Sequence, residues 1–243
     1  MLDKYINWCI IGMLLKIKVR CMKVNIPALI ERNALNQRYK ISLIGAETSD
    51  LMTVLDSDLK ILSGKYTNNA SIKQILNKGG YPVALFALWS TENTDVEKRL
   101  FATWMAARVL EITSIGKFEN TEILSNAIIK TVDYCLNSHN AEYLKQANDD
   151  ARQAVKPLME NTGALKPIIL LGFEIALDIT NDSAYGALTN AAKTMDTFMK
   201  ILPKPMDYAL TELRKKALLE ICNTSKEIGK RYQTMQKLSL VKQ

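Results

Sequence analysis

The sequence predicts an all-α protein, a multi-helix bundle or short helical-repeat array, and three observations carry that expectation. Apolar residues recur at threes and fours from Val96 to Ile228, as they do along one face of a helix. Gly (10) and Pro (6) are scarce, which disfavours turn-dense sheet folds and disordered or collagen-like chains. At 243 residues, 48% hydrophobic and 23% charged, the chain can bury a sizeable core.

Residues 1–21 form an apolar-basic segment. Trp8 to Leu15 is an apolar octamer followed by Lys16, Lys18 and Arg20. It is too short to span a bilayer, which takes about 20 residues, and it lacks the small-residue cleavage site of a signal peptide. Met22-Lys23-Val24-Asn25 would serve as an ordinary start, so these residues read as a mis-called extension. The alternatives are an amphipathic helix on the core or a peripheral membrane attachment.

Residues 22–92 read as a smaller helical region. Arg38 to Ile44 alternates like an isolated strand, although a lone strand has no partner for its edges. Asp50 to Leu62 reads as a helix with Leu51, Val54, Leu55, Leu59 and Leu62 on one side and Gly64 at the stop. A short helix over Ile72 to Leu76 should end at Gly79-Gly80, with Pro82 opening the next one over Val83 to Trp89.

Residues 93–243 read as the main domain, in two three-helix units over about 94–158 and 168–235. Thr94-Asp95-Val96-Glu97 is a capping box, and Val96, Leu100, Phe101, Trp104, Met105, Val109 and Ile112 give the helix a wide apolar face ending near Gly116. Asn120 or Thr121 opens a second helix, striped by Leu124, Ala127, Ile128, Val132 and Cys135. Asn140 opens a third, striped by Leu144, Ala147, Ala151, Ala154 and Leu158, whose extension Pro157 should limit. Ile168 to Leu177 is apolar nearly all round apart from Glu174 and reads as a buried helix, because few of its residues are β-branched. Asp182 should cap the next helix, which Pro203-Lys204-Pro205 closes. Asp207 begins the last, with Leu210, Leu213, Ala217, Ile221 and Ile228 as a narrow apolar seam. Arg108 to Thr113 and Ile175 to Thr180 align at an offset of 67 residues, a hint of internal duplication.

The formal charge of +7 divides unevenly: residues 1–46 carry +6, residues 200–243 carry +6, and the stretch between carries −5. A nucleic-acid protein needs its cations gathered on one face. Tyr208, Arg214, Lys215, Lys216, Lys226, Lys230, Arg231 and Tyr232 supply such a candidate on the final helix, for nucleic acid or an acidic protein partner, against the simpler reading of a solvated basic face. Arg99 and Arg108 lie on the most apolar helix. Snorkelling toward solvent is the simpler expectation for them, a buried ion pair or partner contact the alternative.

Little else carries chemistry. His139 is the single histidine and falls in a polar hinge, so neither a multi-histidine metal site nor a nucleophile-histidine pair has its parts, and GxSxG, P-loop and GxGxxG patterns are missing. Asp56 and Asp58 diverge by about 200 degrees around a helix, and Asp149-Asp150 should pair with Arg152 or Lys145 on the surface. The cysteines at 9, 21, 135 and 222 form no CxxC pair, which fits a reduced cytoplasm, with Cys135 and Cys222 as small buried hydrophobes.

Arg99-Leu100-Phe101-Ala102-Thr103-Trp104-Met105-Ala106-Ala107-Arg108-Val109-Leu110 resembles the opening of a helical repeat found in uncharacterised bacterial and phage proteins, some labelled immunity proteins. Asn126-Ala127-Ile128 and Ser138-His139-Asn140-Ala141-Glu142-Tyr143-Leu144 fall where the later parts of that pattern belong. The resemblance covers about residues 98–157. It departs at Phe118-Glu119-Asn120, where Asp-x-Arg is usual, and lacks the hinge glycine. It implies a helical fold and brings no catalytic residues. The sequence therefore reads as a non-catalytic cytoplasmic interaction protein without cofactor or metal, which binds a protein partner. A nucleic-acid accessory role is the second reading, and an integral membrane protein is not expected.

Overall fold

The computed structural model describes residues 22–42, 52–115, 121–135, 141–159, 166–202, 204 and 206–222. The all-α expectation holds, with one small ribbon added. Strand β1 (Lys23–Asn25) pairs antiparallel with β2 (Asn69–Ser71) in the register Lys23↔Ser71, Val24↔Ala70, Asn25↔Asn69. Val24 and Ala70 point into the core while Lys23, Asn25 and Asn69 face out, the alternation that a ribbon packed on one side requires.

Helix α1 (Ile26–Ser42) runs through the strand-like alternation that begins at Arg38 as far as Ser42; residues 43 and 44 lie outside the described residues. Pro27 sits in its first turn, where a missing N–H costs nothing, and the Asn25 side chain accepts from the Ala28 N–H at 3.0 Å. Its buried stripe is Ile26, Leu29, Asn33 and Asn36, half of it polar, which hides the helical period from a hydrophobicity reading. Those asparagines have a task. Asn33 both donates to the Val54 carbonyl (3.2 Å) and accepts from its N–H (3.0 Å), and Asn36 donates to the Met52 carbonyl (2.8 Å). Residues 52–55 are thereby kept out of helix, and α2 runs over Asp56–Ser63 rather than from Asp50.

Helix α3 (Ile72–Ser90) opens on a capping box between Ser71 and Gln74 and breaks at Gly80, where φ is 76° and ψ −177°. Past the break Pro82 leads into Val83 to Trp89, buried at every position. The two helices read from the sequence are thus joined through a single glycine.

Helix α4 (Asp95–Ile115) is the centre of the remainder: Phe101 to Leu110 are buried without exception. Around it stand α5 (Thr121–Asp133), α7 (Lys166–Ile179) and α8 (Ala184–Ile201), while α6 (Ala141–Met159) lies outside, across α5 and α7. Helix α6 continues two residues past Pro157, so the proline does not stop it. Ser183 rather than Asp182 caps α8, its hydroxyl accepting from the Gly186 N–H. The last helix, α9 (206–222), reaches α8 and α3 through Arg214. One apolar cluster runs from Val24 to Cys222 through all these elements. Among the described residues no helix is long and apolar enough to cross a membrane.

Gly80 occupies a backbone region that only glycine adopts without strain. Gly80→Ala should lower unfolding stability by about 1–3 kcal/mol in urea melts. Gly64→Ala, at φ −64°, should stay within about 0.5 kcal/mol of the parent.

Candidate functional site

Arg99 and Arg108 both prove to be buried, at 3% and 8% exposure, and snorkelling fails for a geometric reason. Their helix has no solvent side over this stretch, so an extended side chain meets another helix instead of water. The Arg99 guanidinium donates to the carbonyls of Asn181 (2.6 Å) and Asp182 (2.5 Å) at the α7–α8 turn, and it lies 5.2 Å from the Tyr134 ring centroid. Arg108 pairs with Glu111 at 2.5 Å and lies over Trp104. Burial lowers its pKa, and the Glu111 carboxylate opposes that shift.

Lys98 joins them, and no sequence pattern pointed to it. Its side chain is fully buried, yet the ammonium donates to the Thr91 carbonyl at 2.9 Å and lies 3.6 Å from the Tyr185 ring centroid. Asp95, one turn back, completes the site at 3.5 Å. Burial lowers the Lys98 pKa, against the pull of Asp95. The one available clue was the Asp95–Lys98 spacing of three. The Thr94 hydroxyl, which the sequence placed at the helix cap, donates back to the Thr91 carbonyl at 2.7 Å.

The expected basic face of the last helix divides. Arg214 is 5% exposed and turned inward, donating to the Tyr81 hydroxyl (3.1 Å) and to Asp196 (2.7 Å). Burial pushes the Tyr81 phenol up to about 12, partly offset by Arg214. Leu213, expected on the apolar seam, is exposed, and Arg214 stands on the buried side in company with Leu210, Ala217 and Ile221. Lys215 bonds Glu212 at 2.7 Å and Lys216 approaches Glu220 at 3.9 Å. Lys226, Lys230 and Arg231 lie outside the described residues, as does His139.

The acidic candidates also resolve into structural contacts. Asp56 accepts from the side-chain amides of Asn33 and Gln37, each at 3.1 Å. Asp150 pairs with Lys130 across α5 and α6, not with Arg152 or Lys145, and Arg152 donates to Asn148 instead. Cys135 and Cys222 are buried, and burial pushes the Cys135 thiol up to about 12, so it stays protonated and a poor nucleophile. Among the described residues no three His, Cys, Asp or Glu side chains gather as a metal site.

Asp178 on α7 is the exception in its titration. Burial raises its pKa to about 6, with Glu174 acting in the same sense and Lys193 opposing, while the Thr194 hydroxyl donates to it at 2.7 Å. Such a carboxyl can hold or release a proton near neutrality. Thr194 orients it toward α8, so the contact chiefly joins two helices.

No protein-family model, curated protein or solved structure matches the chain.

Asp178 binds its proton more tightly in the fold than in the unfolded chain. The stability it contributes is therefore full below about pH 4 and lost as pH rises through about 6. Asp178→Asn, which keeps an acceptor for Thr194, should be more stable than the parent at about pH 7.5, by on the order of 1–2 kcal/mol. The difference should shrink steadily toward about pH 4 in urea melts run across that range.

Proposed function

We propose that this chain is a soluble cytoplasmic interaction protein without catalytic activity, an immunity-type inhibitor that acts by covering a protein partner. The observation that supports it most is the contrast between the satisfied cations of α9 and the unsatisfied apolar side chains beside them. Arg214 is spent inside the fold, and Lys215 and Lys216 each have a carboxylate on their own helix. A strong anion-binding face needs cations free to displace counterions from phosphates. At the same corner Ile201, Met206 and Leu213 are exposed. Met206 and Leu213 are seven residues apart, two helical turns along one side of α9. Exposed apolar side chains gathered in this way suit a protein contact, with charged neighbours steering the encounter. The resemblance of residues 98–157 to a helical repeat of uncharacterised bacterial and phage proteins, some labelled immunity proteins, supports the same reading.

A nucleic-acid accessory role is the competing reading, since the C-terminal 44 residues retain a basic excess. The two separate experimentally. Met206→Asp with Leu213→Asp should leave stability within about 0.5 kcal/mol, because both side chains are already exposed, yet abolish the complex co-purified from native cells. Lys215→Glu with Lys216→Glu should leave that complex intact. Tight DNA or RNA binding that falls steeply with salt and disappears in the double lysine variant would overturn the proposal.

A further inference from the structure

The outward side of α9 is patterned as regularly as its inner side. Leu210, Arg214, Ala217 and Ile221 are buried, while Met206, Ala209 and Leu213 are exposed at positions i, i+3 and i+7. That spacing sets three apolar side chains in one row along the helix, the pattern with which a helix meets a neighbouring helix. A surface helix ordinarily carries polar residues on that side. Ile201, at the end of α8 and just ahead of Met206 in the chain, is exposed as well.

The surroundings of this row carry a positive excess. Arg214 donates to Asp196 at 2.7 Å and to the Met199 sulfur at 3.0 Å, which fixes where α9 meets α8. Lys200 stands one turn beyond Asp196 on the same side of α8, and Lys204 lies in the joint between the two helices. Both lysines are exposed, and among the described residues neither forms an ion pair. Glu212 and Glu220 are already engaged by Lys215 and Lys216, so within residues 200–222 only Asp207 is set against the two lysines. In the sequence, residues 223–243 add five Lys and Arg and a single Glu. A second copy of the chain would bring like charge to like charge at this face. A phosphate backbone would satisfy the lysines and leave the apolar row uncovered. Both features are met together by a helix that is apolar along one side and carries carboxylates beside it.

We propose that Met206, Ala209 and Leu213 dock an acidic amphipathic helix of a protein partner, with Lys200 and Lys204 meeting its carboxylates. The inference rests on the reading of this corner as the partner-binding surface and names the kind of partner it takes.

Fluorescence anisotropy of the full chain with labelled model peptides tests it. The probe is a leucine–glutamate amphipathic helix of about five turns, beside a twin with lysine for every glutamate and a scrambled form of the first. The glutamate helix should bind with Kd below about 100 µM, and the other two at least about tenfold more weakly. Met206→Asp with Leu213→Asp, and separately Lys200→Glu with Lys204→Glu, should each weaken the glutamate helix at least about tenfold with the thermal melt unchanged. Equal binding of the scrambled or lysine peptide, no binding up to about 1 mM, or indifference to either double variant would overturn the inference. So would full displacement of the peptide by a mixed-sequence DNA duplex at equal concentration, or a dimer in sedimentation that Met206→Asp with Leu213→Asp dissolves. If the complex from native cells is lost in that apolar double variant while all three peptides bind alike, the reading of the corner stands and only the acidic helix fails. If the native complex persists in that variant, both fail.

Discussion

Because α4 is enclosed by α5, α7 and α8, the cationic side chains it carries cannot reach water by extending, and each must be matched inside. A buried cation without partners would cost several kcal/mol, more than a marginally stable domain can spare. The chain meets this constraint with neutral carbonyls and aromatic faces as much as with carboxylates. Arg99 takes two carbonyls 82 and 83 residues away, at the turn that joins α7 to α8. Lys98 takes one carbonyl and the face of Tyr185 at the start of α8. The central helix is thus tied by directed bonds to the elements that its apolar surface alone would hold only in approximate register.

The same device recurs at the edge of the bundle. Arg214 joins α9 to α8 through Asp196 and to α3 through Tyr81, beside the Gly80 break. Tyr81 is placed to receive it because the chain turns sharply one residue earlier. Of the cations on the last helix that seemed suited to meet a partner, Arg214 is therefore one that builds the fold.

Helices with apolar partners were legible from the sequence. The starts of α4, α5 and α6, the helical state of Ile168 to Leu177 and the burial of Cys135 and Cys222 all follow from periodicity and capping residues. The misses at α1 and at Leu213 and Arg214 share a cause, which is burial of polar groups whose partners are distant in sequence. Helix α1 was missed because Asn33 and Asn36 occupy its inner face, and their partners lie in the segment 52–55. Leu213 and Arg214 were placed on the wrong sides because apolarity favours the leucine. The partners that reverse this, Asp196 and Tyr81, are 18 and 133 residues away. The ribbon escaped notice because three-residue strands carry too little pattern to register. Of the candidate site residues, Arg99 and Arg108 are buried where snorkelling was the simpler expectation, and the role of Arg99 as an internal fastener depends on a turn that only the packed structure brings to it.

The most direct test of this account is the unfolding free energy of Arg99→Met, which keeps much of the side-chain bulk and removes the donors. The carbonyls of Asn181 and Asp182 lose two charged donors from a buried side chain, so urea melts should show a loss of about 2–4 kcal/mol. A change within about 0.5 kcal/mol would contradict the account, since it would mean that apolar packing alone positions α4 against the α7–α8 turn.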